Sequence, residues 1–138
     1  MRVNNRIVSI VDDDPSTVLF FHEALKRIPG ITIITFTNPV LALEHFQDYD
    51  YAYVLVLSDF KMSPLDGMEL LKNIKESNHF VRTILITSFK IDDNLFQEYT
   101  KKKIINGFVQ KPIGLHDLIK EVHTQLDSYE QQKSYPSL

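Results

Sequence analysis

Four times along this chain a short apolar run ends abruptly on a polar residue. Ile7-Val8-Ser9-Ile10-Val11 stops at Asp12-Asp13-Asp14, and Val54-Leu55-Val56-Leu57-Ser58 stops at Asp59. Ile84-Leu85-Ile86 stops at Thr87-Ser88, and Gly107-Phe108-Val109-Gln110 stops at Lys111-Pro112. Such runs are too short and too β-branched for helices, and they read as strands buried on both faces. Segments with helical spacing lie between them. This alternation points to an α/β domain of right-handed βαβ units, a parallel sheet with helices on both faces. Open sheets of this kind bind ligands beyond the carboxyl ends of their strands. Carboxylates, a hydroxyl and an ammonium are therefore sent to one edge, where they suit a divalent cation and a phosphoryl group.

The segments follow in order. Arg6 to Val11 is the first predicted strand. Asp14-Pro15 joins an N-cap to a proline at the first helical position, and Val18, Phe21, Leu25 and Ile28 keep one apolar face until Pro29-Gly30. Ile31 to Phe36 is the second strand, after which Asn38-Pro39 repeats the cap and opens a helix through Leu43 and Phe46. Tyr53 to Ser58 is the third strand. Beyond a loop ending at Asp66-Gly67, a helix carries Met68, Leu71 and Ile74 inward. Arg82 to Ile86 is the fourth strand, and Asp92 to about Lys102 a weaker helix with Leu95, Phe96 and Tyr99 as its apolar face. Gly107 to Gln110 is a short fifth strand. The last helix, about Leu115 to Tyr129, packs Leu118, Ile119, Val122 and Leu126. The pattern is one domain over residues 6–129, with short tails at 1–5 and 130–138; the polar stretch Ser128 to Leu138 is expected to fray.

A length of 138 residues supports a full core, and 43% apolar with 24% charged residues is ordinary for a globular domain. The net charge of -3 argues against nucleic-acid binding by this chain alone. The absence of cysteine removes disulfides and thiolate metal sites. Asp12 interrupts the N-terminal apolar stretch, so it is no secretory h-region. No apolar run approaches the roughly 18 residues of a membrane span. A cytoplasmic protein with no membrane partner is expected.

Asp12, Asp13 and Asp59 would share a small volume, where one carboxylate takes up a proton unless a cation is present. Oxygen ligands, with no cysteine and no metal spacing among His22, His45, His79, His116 and His123, point to Mg²⁺. A carboxylate beside such an ion can attack phosphorus, while a lysine and a hydroxyl stabilise the phosphoryl oxygens. Lys111 and Thr87 are of the right type. Asp14 reads first as a helix cap, and Lys101-Lys102-Lys103 as a solvated helix end favoured by the helix dipole.

At these residues the chain resembles a response-regulator receiver domain, the phosphoacceptor half of a two-component relay. The resemblance runs from about Arg6 to Tyr129. It rests on the acidic pair after the first strand, Asp59-x-x-Met62 closing at Asp66-Gly67, Thr87-Ser88, and Lys111-Pro112. It implies a flavodoxin-like receiver fold: a doubly wound, five-stranded parallel sheet in order 2-1-3-4-5 with five helices. Asp59 would be the phosphoacceptor, Asp13 a direct Mg²⁺ ligand, Asp12 a ligand mainly through water, and the backbone carbonyl of Lys61 the third protein ligand. Thr87 would move to hold the phosphoryl group, Lys111 would pair with it, and the Lys111-Pro112 bond would be cis. Phe108 occupies the switch position, often tyrosine. Phe89, two residues after Thr87, is bulky where the family tunes water access, which implies slow self-dephosphorylation. Ser63 separates Met62 from Pro64, where the family usually has proline directly after methionine.

The implied partners are a sensor histidine kinase or histidine phosphotransfer protein as donor, and a downstream protein target. The target would meet the face of the fourth helix, fifth strand and fifth helix, with room for a phosphorylation-dependent dimer. No output domain is expected on so short a remainder after the last helix. Such a domain is no enzyme beyond catalysing its own phosphorylation and dephosphorylation. Asp12-x-Asp14 also resembles a haloacid-dehalogenase-type phosphatase, with Asp12 as nucleophile and Asp14 as general acid. That family needs an acidic motif beyond its lysine, and only Asp117, Glu121, Asp127 and Glu130 follow Lys111. A degenerate receiver that binds without phosphorylation is disfavoured by the full set of site residues.

Overall fold

The most apolar run becomes the central strand. In the computed structural model, which describes residues 6–88 and 94–134, the elements are β1 (Ile7–Val11), α1 (Pro15–Leu25), β2 (Thr32–Phe36), α2 (Pro39–Tyr49), a 3₁₀ turn (Asp50–Ala52), β3 (Tyr53–Asp59), α3 (Gly67–Ser77), β4 (Arg82–Thr87), α4 (Asn94–Lys101), β5 (Gly107–Gln110) and α5 (Leu115–Ser134). The strands form one parallel sheet in the order β2-β1-β3-β4-β5, as the resemblance implied. Leu55 and Leu57 of β3 join Val8, Ile10, Ile84 and Ile86 under α1 and α5. Val56 and Tyr53 face the other way, onto Phe46 of α2 and Leu71 and Ile74 of α3. Burial on both faces is what the unbroken hydrophobicity of β3 requires.

Local chemistry sets the helix starts. Asp14 accepts from the Ser16 N–H and the Thr17 hydroxyl, and Asn38 accepts from Val40 and Leu41, each just before a proline at the first helical turn. Asp66 and Glu69 form a reciprocal capping box at α3. The first residue of α3 must be glycine for a different reason. A Cβ at Gly67 would overlap the Asp59 carbonyl oxygen and lie 2.9 Å from its carbon. The Gly67 N–H also donates to the Phe60 carbonyl at 2.8 Å, so α3 begins against the end of β3.

Two helix ends and one core assignment differ from the sequence expectation. α1 ends at Leu25, and Ile28 reaches the core from the following turn, where its N–H donates to the Leu25 carbonyl. Leu95 is exposed rather than buried with Phe96 and Tyr99, because α4 rests on the sheet by one side and buries no residue fully. α5 runs to Ser134 instead of fraying from Ser128. Its last turns are tied down by Arg6 pairing with Glu130, and by Gln132, which accepts from Arg82 and donates to the Phe80 carbonyl.

Gly67→Ala should destabilise the fold by about 1–3 kcal/mol through overpacking, read as a lower urea midpoint. Gly114→Ala is the matched control, since a Cβ there meets nothing within 4 Å, and its effect should stay within about 0.5 kcal/mol.

Candidate functional site

Strand register brings the four polar strand ends together. Val11 lies level with Phe36 and Ser58, Asp59 with Ile86, and Thr87 with Gln110. Each ladder continues one bond past its strand: Asp12 N–H to the Phe36 carbonyl, Phe60 N–H to Ile86, and Lys111 N–H to Thr87. The site residues are thus held by sheet backbone rather than by loose loops.

Asp12, Asp13 and Asp59 each offer a carboxylate oxygen, and these oxygens lie within 4.8 Å of one another. Asp12 is buried, Asp59 partly so, and Asp13 is exposed at the mouth. Lys111 closes the other side. Its Nζ stands 2.9 Å from Asp12 Oδ2 and 3.4 Å from Asp59 Oδ1. Asp12 also accepts from the Asp14 N–H at 2.9 Å. The ammonium therefore bonds Asp12 more closely than Asp59. Thr87 is fully buried at the end of β4, and its carbonyl accepts from Lys111 at 2.8 Å. The Lys111-Pro112 peptide is cis, as the resemblance implied, and so is Ser63-Pro64.

The remaining candidates lie apart from this cluster or follow it in the chain. Lys61 is exposed in the loop two residues beyond Asp59. Asp14 spends its carboxylate on capping α1, and those hydrogen bonds hold its pKa below the ordinary range, a poor setting for a general acid. Phe108 sits on β5 with its ring edge-on to Phe96, centroids 5.2 Å apart. Phe89 lies outside the described residues. None of the five histidines is buried; His45 Nδ1 lies 2.6 Å from the Tyr53 hydroxyl, which accounts for it structurally.

The electrostatics follow from the crowding. Burial raises the Asp59 carboxyl above its ordinary pKa, and the Asp12 charge adds to this, while Lys111 and the Phe60 N–H oppose it. For Lys111, burial favours the neutral amine. The bond and charge of Asp12, with those of Asp59, outweigh it and hold the ammonium above the usual lysine range. Three hard oxygen donors within one ion's reach, with one cation already opposite, fit a divalent metal of the Mg²⁺ type.

The comparisons with known proteins follow the same lines. Residues 8–123 match the family model described as the response regulator receiver domain. The chain is 28% identical over 127 residues to the DNA-binding transcriptional regulator NtrC of Escherichia coli strain K12, covering 92% of this chain and 26% of that protein. Ethylene receptor 2 of Oryza sativa subsp. japonica is 24% identical over 127 residues, covering 91% of this chain and 16% of the receptor. The chain thus spans about a quarter or less of these relatives. Among solved structures, an uncharacterized protein from Neptuniibacter caesariensis superposes with a TM-score of 0.84 at 26% identity, covering 99% of this chain and 98% of that one. A CheY-like receiver domain protein from Methanospirillum hungatei JF-1 gives 0.80 at 20% identity, covering 92% and 98%.

Folded Asp59 holds its proton more tightly than the unfolded chain does. Ionised Asp59 therefore costs stability above its raised pKa, and that cost vanishes as pH falls through the window down to the ordinary carboxylate range. Asp59→Asn should raise the urea midpoint at pH 7, and its advantage over wild type should shrink on acidification through that window. A midpoint at pH 7 equal to or below wild type contradicts this.

Proposed function

The chain belongs to the response regulator receiver domain family, and from that premise we propose that it accepts a phosphoryl group on Asp59 from a phosphohistidine donor. The donor is a sensor histidine kinase or a histidine phosphotransfer protein. An Asp59 carboxylate oxygen attacks phosphorus in line; the phosphorus–nitrogen bond to the donor imidazole breaks, and the departing nitrogen keeps the electron pair. The product is an acyl phosphate on Asp59 and a free histidine on the donor. The observation that carries this reading is the convergence of Asp12, Asp13 and Asp59 within 4.8 Å, with the Lys111 ammonium touching two of them.

Asp12, Asp13 and Asp59, with the Lys61 backbone carbonyl, are the residues proposed to hold Mg²⁺, which when bound supplies positive charge to the phosphoryl oxygens. Asp13, which is exposed, would bind directly; Asp12, already bonded to Lys111 and the Asp14 N–H, would act mainly through water. Lys111 shifts its weight from Asp12 toward the new phosphoryl oxygens. Thr87 contributes its hydroxyl as donor. The response spreads to the face of α4, β5 and α5, where Phe108 is 37% exposed and leans on Phe96. Having no hydroxyl, Phe108 acts by packing alone. A downstream protein, or a second copy of the chain, would read that face.

Incubation with acetyl phosphate and Mg²⁺, followed by intact mass, tests the acceptor. Wild type should gain one phosphoryl group and Asp59→Asn none; labelling of both, or of neither, overturns the assignment. The metal is tested separately by thermal or urea unfolding. At Mg²⁺ one hundred times its Kd, wild type should gain about 2.7 kcal/mol, and Asp13→Asn should lose most of that gain at the same concentration.

A further inference from the structure

At the end of the sheet opposite the carboxylates, a cavity of about 920 Å³ opens among the last turn of α3, the start of β4, the segment after α4 and the end of α5. Its size is that of a small-molecule site. Lys75, Arg82 and Lys103 line it together. Among the described residues none of the three is paired with a carboxylate. Lys75 donates to the His79 carbonyl at 3.2 Å. Arg82 donates to the side-chain oxygens of Gln125 and Gln132, both at 2.9 Å. Both acceptors are neutral amides, and a guanidinium has N–H donors left after two such bonds. Lys103 holds a left-handed backbone, φ 63°, just past α4. The fourth cation at the rim, Lys102, is neutralised by Glu98 at 2.7 Å.

Like charges in such proximity repel unless something between them is negative. Burial, and then the charges of Arg82 and Lys103, push the Lys75 amine down to about 7. The one carboxylate lining the cavity, Glu76, makes no ion pair with the three among the described residues. Helix dipoles account for part of this: α3 and α4 both end here, and cations are favoured at helix C-termini. They do not account for three cations, one of them from a strand, turned on a single cavity.

We propose that this basic cavity binds a compact anion carrying two or more phosphate groups. Arg82 offers the N–H donors that Gln125 and Gln132 leave free, Lys103 a point charge, and Lys75 an amine that a bound anion would hold protonated, a combination that suits phosphate oxygens. Asn106, also on the lining, adds a neutral amide. A nucleic-acid strand fits less well, because the cations ring a pocket instead of forming a stripe and the chain is acidic overall.

The test is an amide NMR titration of the full chain with pyrophosphate in Mg²⁺-free buffer, with sodium sulfate at matched ionic strength as control. Saturable shifts are expected at Lys75, Arg82, Lys103 and Asn106, with affinity at least tenfold above sulfate. A double variant, Lys75→Gln with Lys103→Asn, should bind at least tenfold more weakly while its other resonances stay in place; asparagine tolerates the left-handed backbone. Asp59→Asn should bind pyrophosphate as wild type does, which keeps this result apart from the fate of the phosphoacceptor. Absence of saturable shifts, shifts confined to the Asp59 edge, or unchanged affinity in the double variant would overturn the proposal.

Discussion

The Lys111 ammonium stands against a group of carboxylates that would otherwise repel one another. Two unit charges 4 Å apart interact by about 4 kcal/mol at the effective dielectric of a protein surface, and Asp12, Asp13 and Asp59 bring oxygens within 4.8 Å. Burial first, and then the Asp12 charge, hold the Asp59 carboxyl above its ordinary pKa, and Lys111 offsets this only in part. The cluster persists because the groups are not free to separate. Asp59 is the last residue of β3, level with Ile86, Asp12 and Asp13 follow directly on β1, and the Gly67 approach braces the end of β3 from the side. The packing energy of the core holds this repulsion in place. A bound cation or a proton relieves it.

The same sheet carries the opposite sign at its other end. β4 begins at Arg82, in the basic cavity, and ends at Thr87, beside the carboxylates. Five residue steps of a parallel strand span roughly 16 Å, about twice the screening length at physiological salt. Where the charges face solvent, that separation screens most of their interaction. Coupling between the two edges would have to pass through the backbone of β4 and β5 and the helices across them.

Much of this was legible in the residues. Buried strands announced themselves by unbroken β-branched runs, and Asp14-Pro15 and Asn38-Pro39 marked helix starts through side chains that do cap α1 and α2. The strand-end polar residues then meet because parallel topology leaves them no other place. What was not legible came from tertiary contact. Nothing local shows that Gln132 will bond Arg82, so α5 looked as though it should fray five residues early. Leu95 has the right spacing for a core residue, but the spacing cannot say that α4 touches the sheet by one side alone. The basic cavity was not legible: Lys101-Lys102-Lys103 reads as a solvated helix end, and of the three only Lys103 joins the cavity's cations that are unpaired with a carboxylate among the described residues. Its other members, Lys75 and Arg82, come from separate elements, and only the fold gathers them.

The geometry also constrains how charge at Asp59 could reach the surface. Lys111 N–H bonds the Thr87 carbonyl, Thr87 is level with Gln110, and Phe108 is level with Leu85 two residues earlier on the same ladder. A parallel strand pair resists sliding, because its hydrogen bonds are spaced along its whole length. A change at Lys111 is thus passed on by side-chain packing more readily than by shifting β5. Thr87 is fully buried, so movement of its side chain toward a phosphoryl group would vacate volume that neighbouring side chains compete to fill. Phe108, edge-on to Phe96 and partly exposed, has one packed and one wet side. In the proposed switch its ring would exchange these, and a phenylalanine gives up no hydrogen bond in doing so. The energy at stake on this face would then be the modest difference between two apolar packings, and the charge at the sheet edge would decide between them.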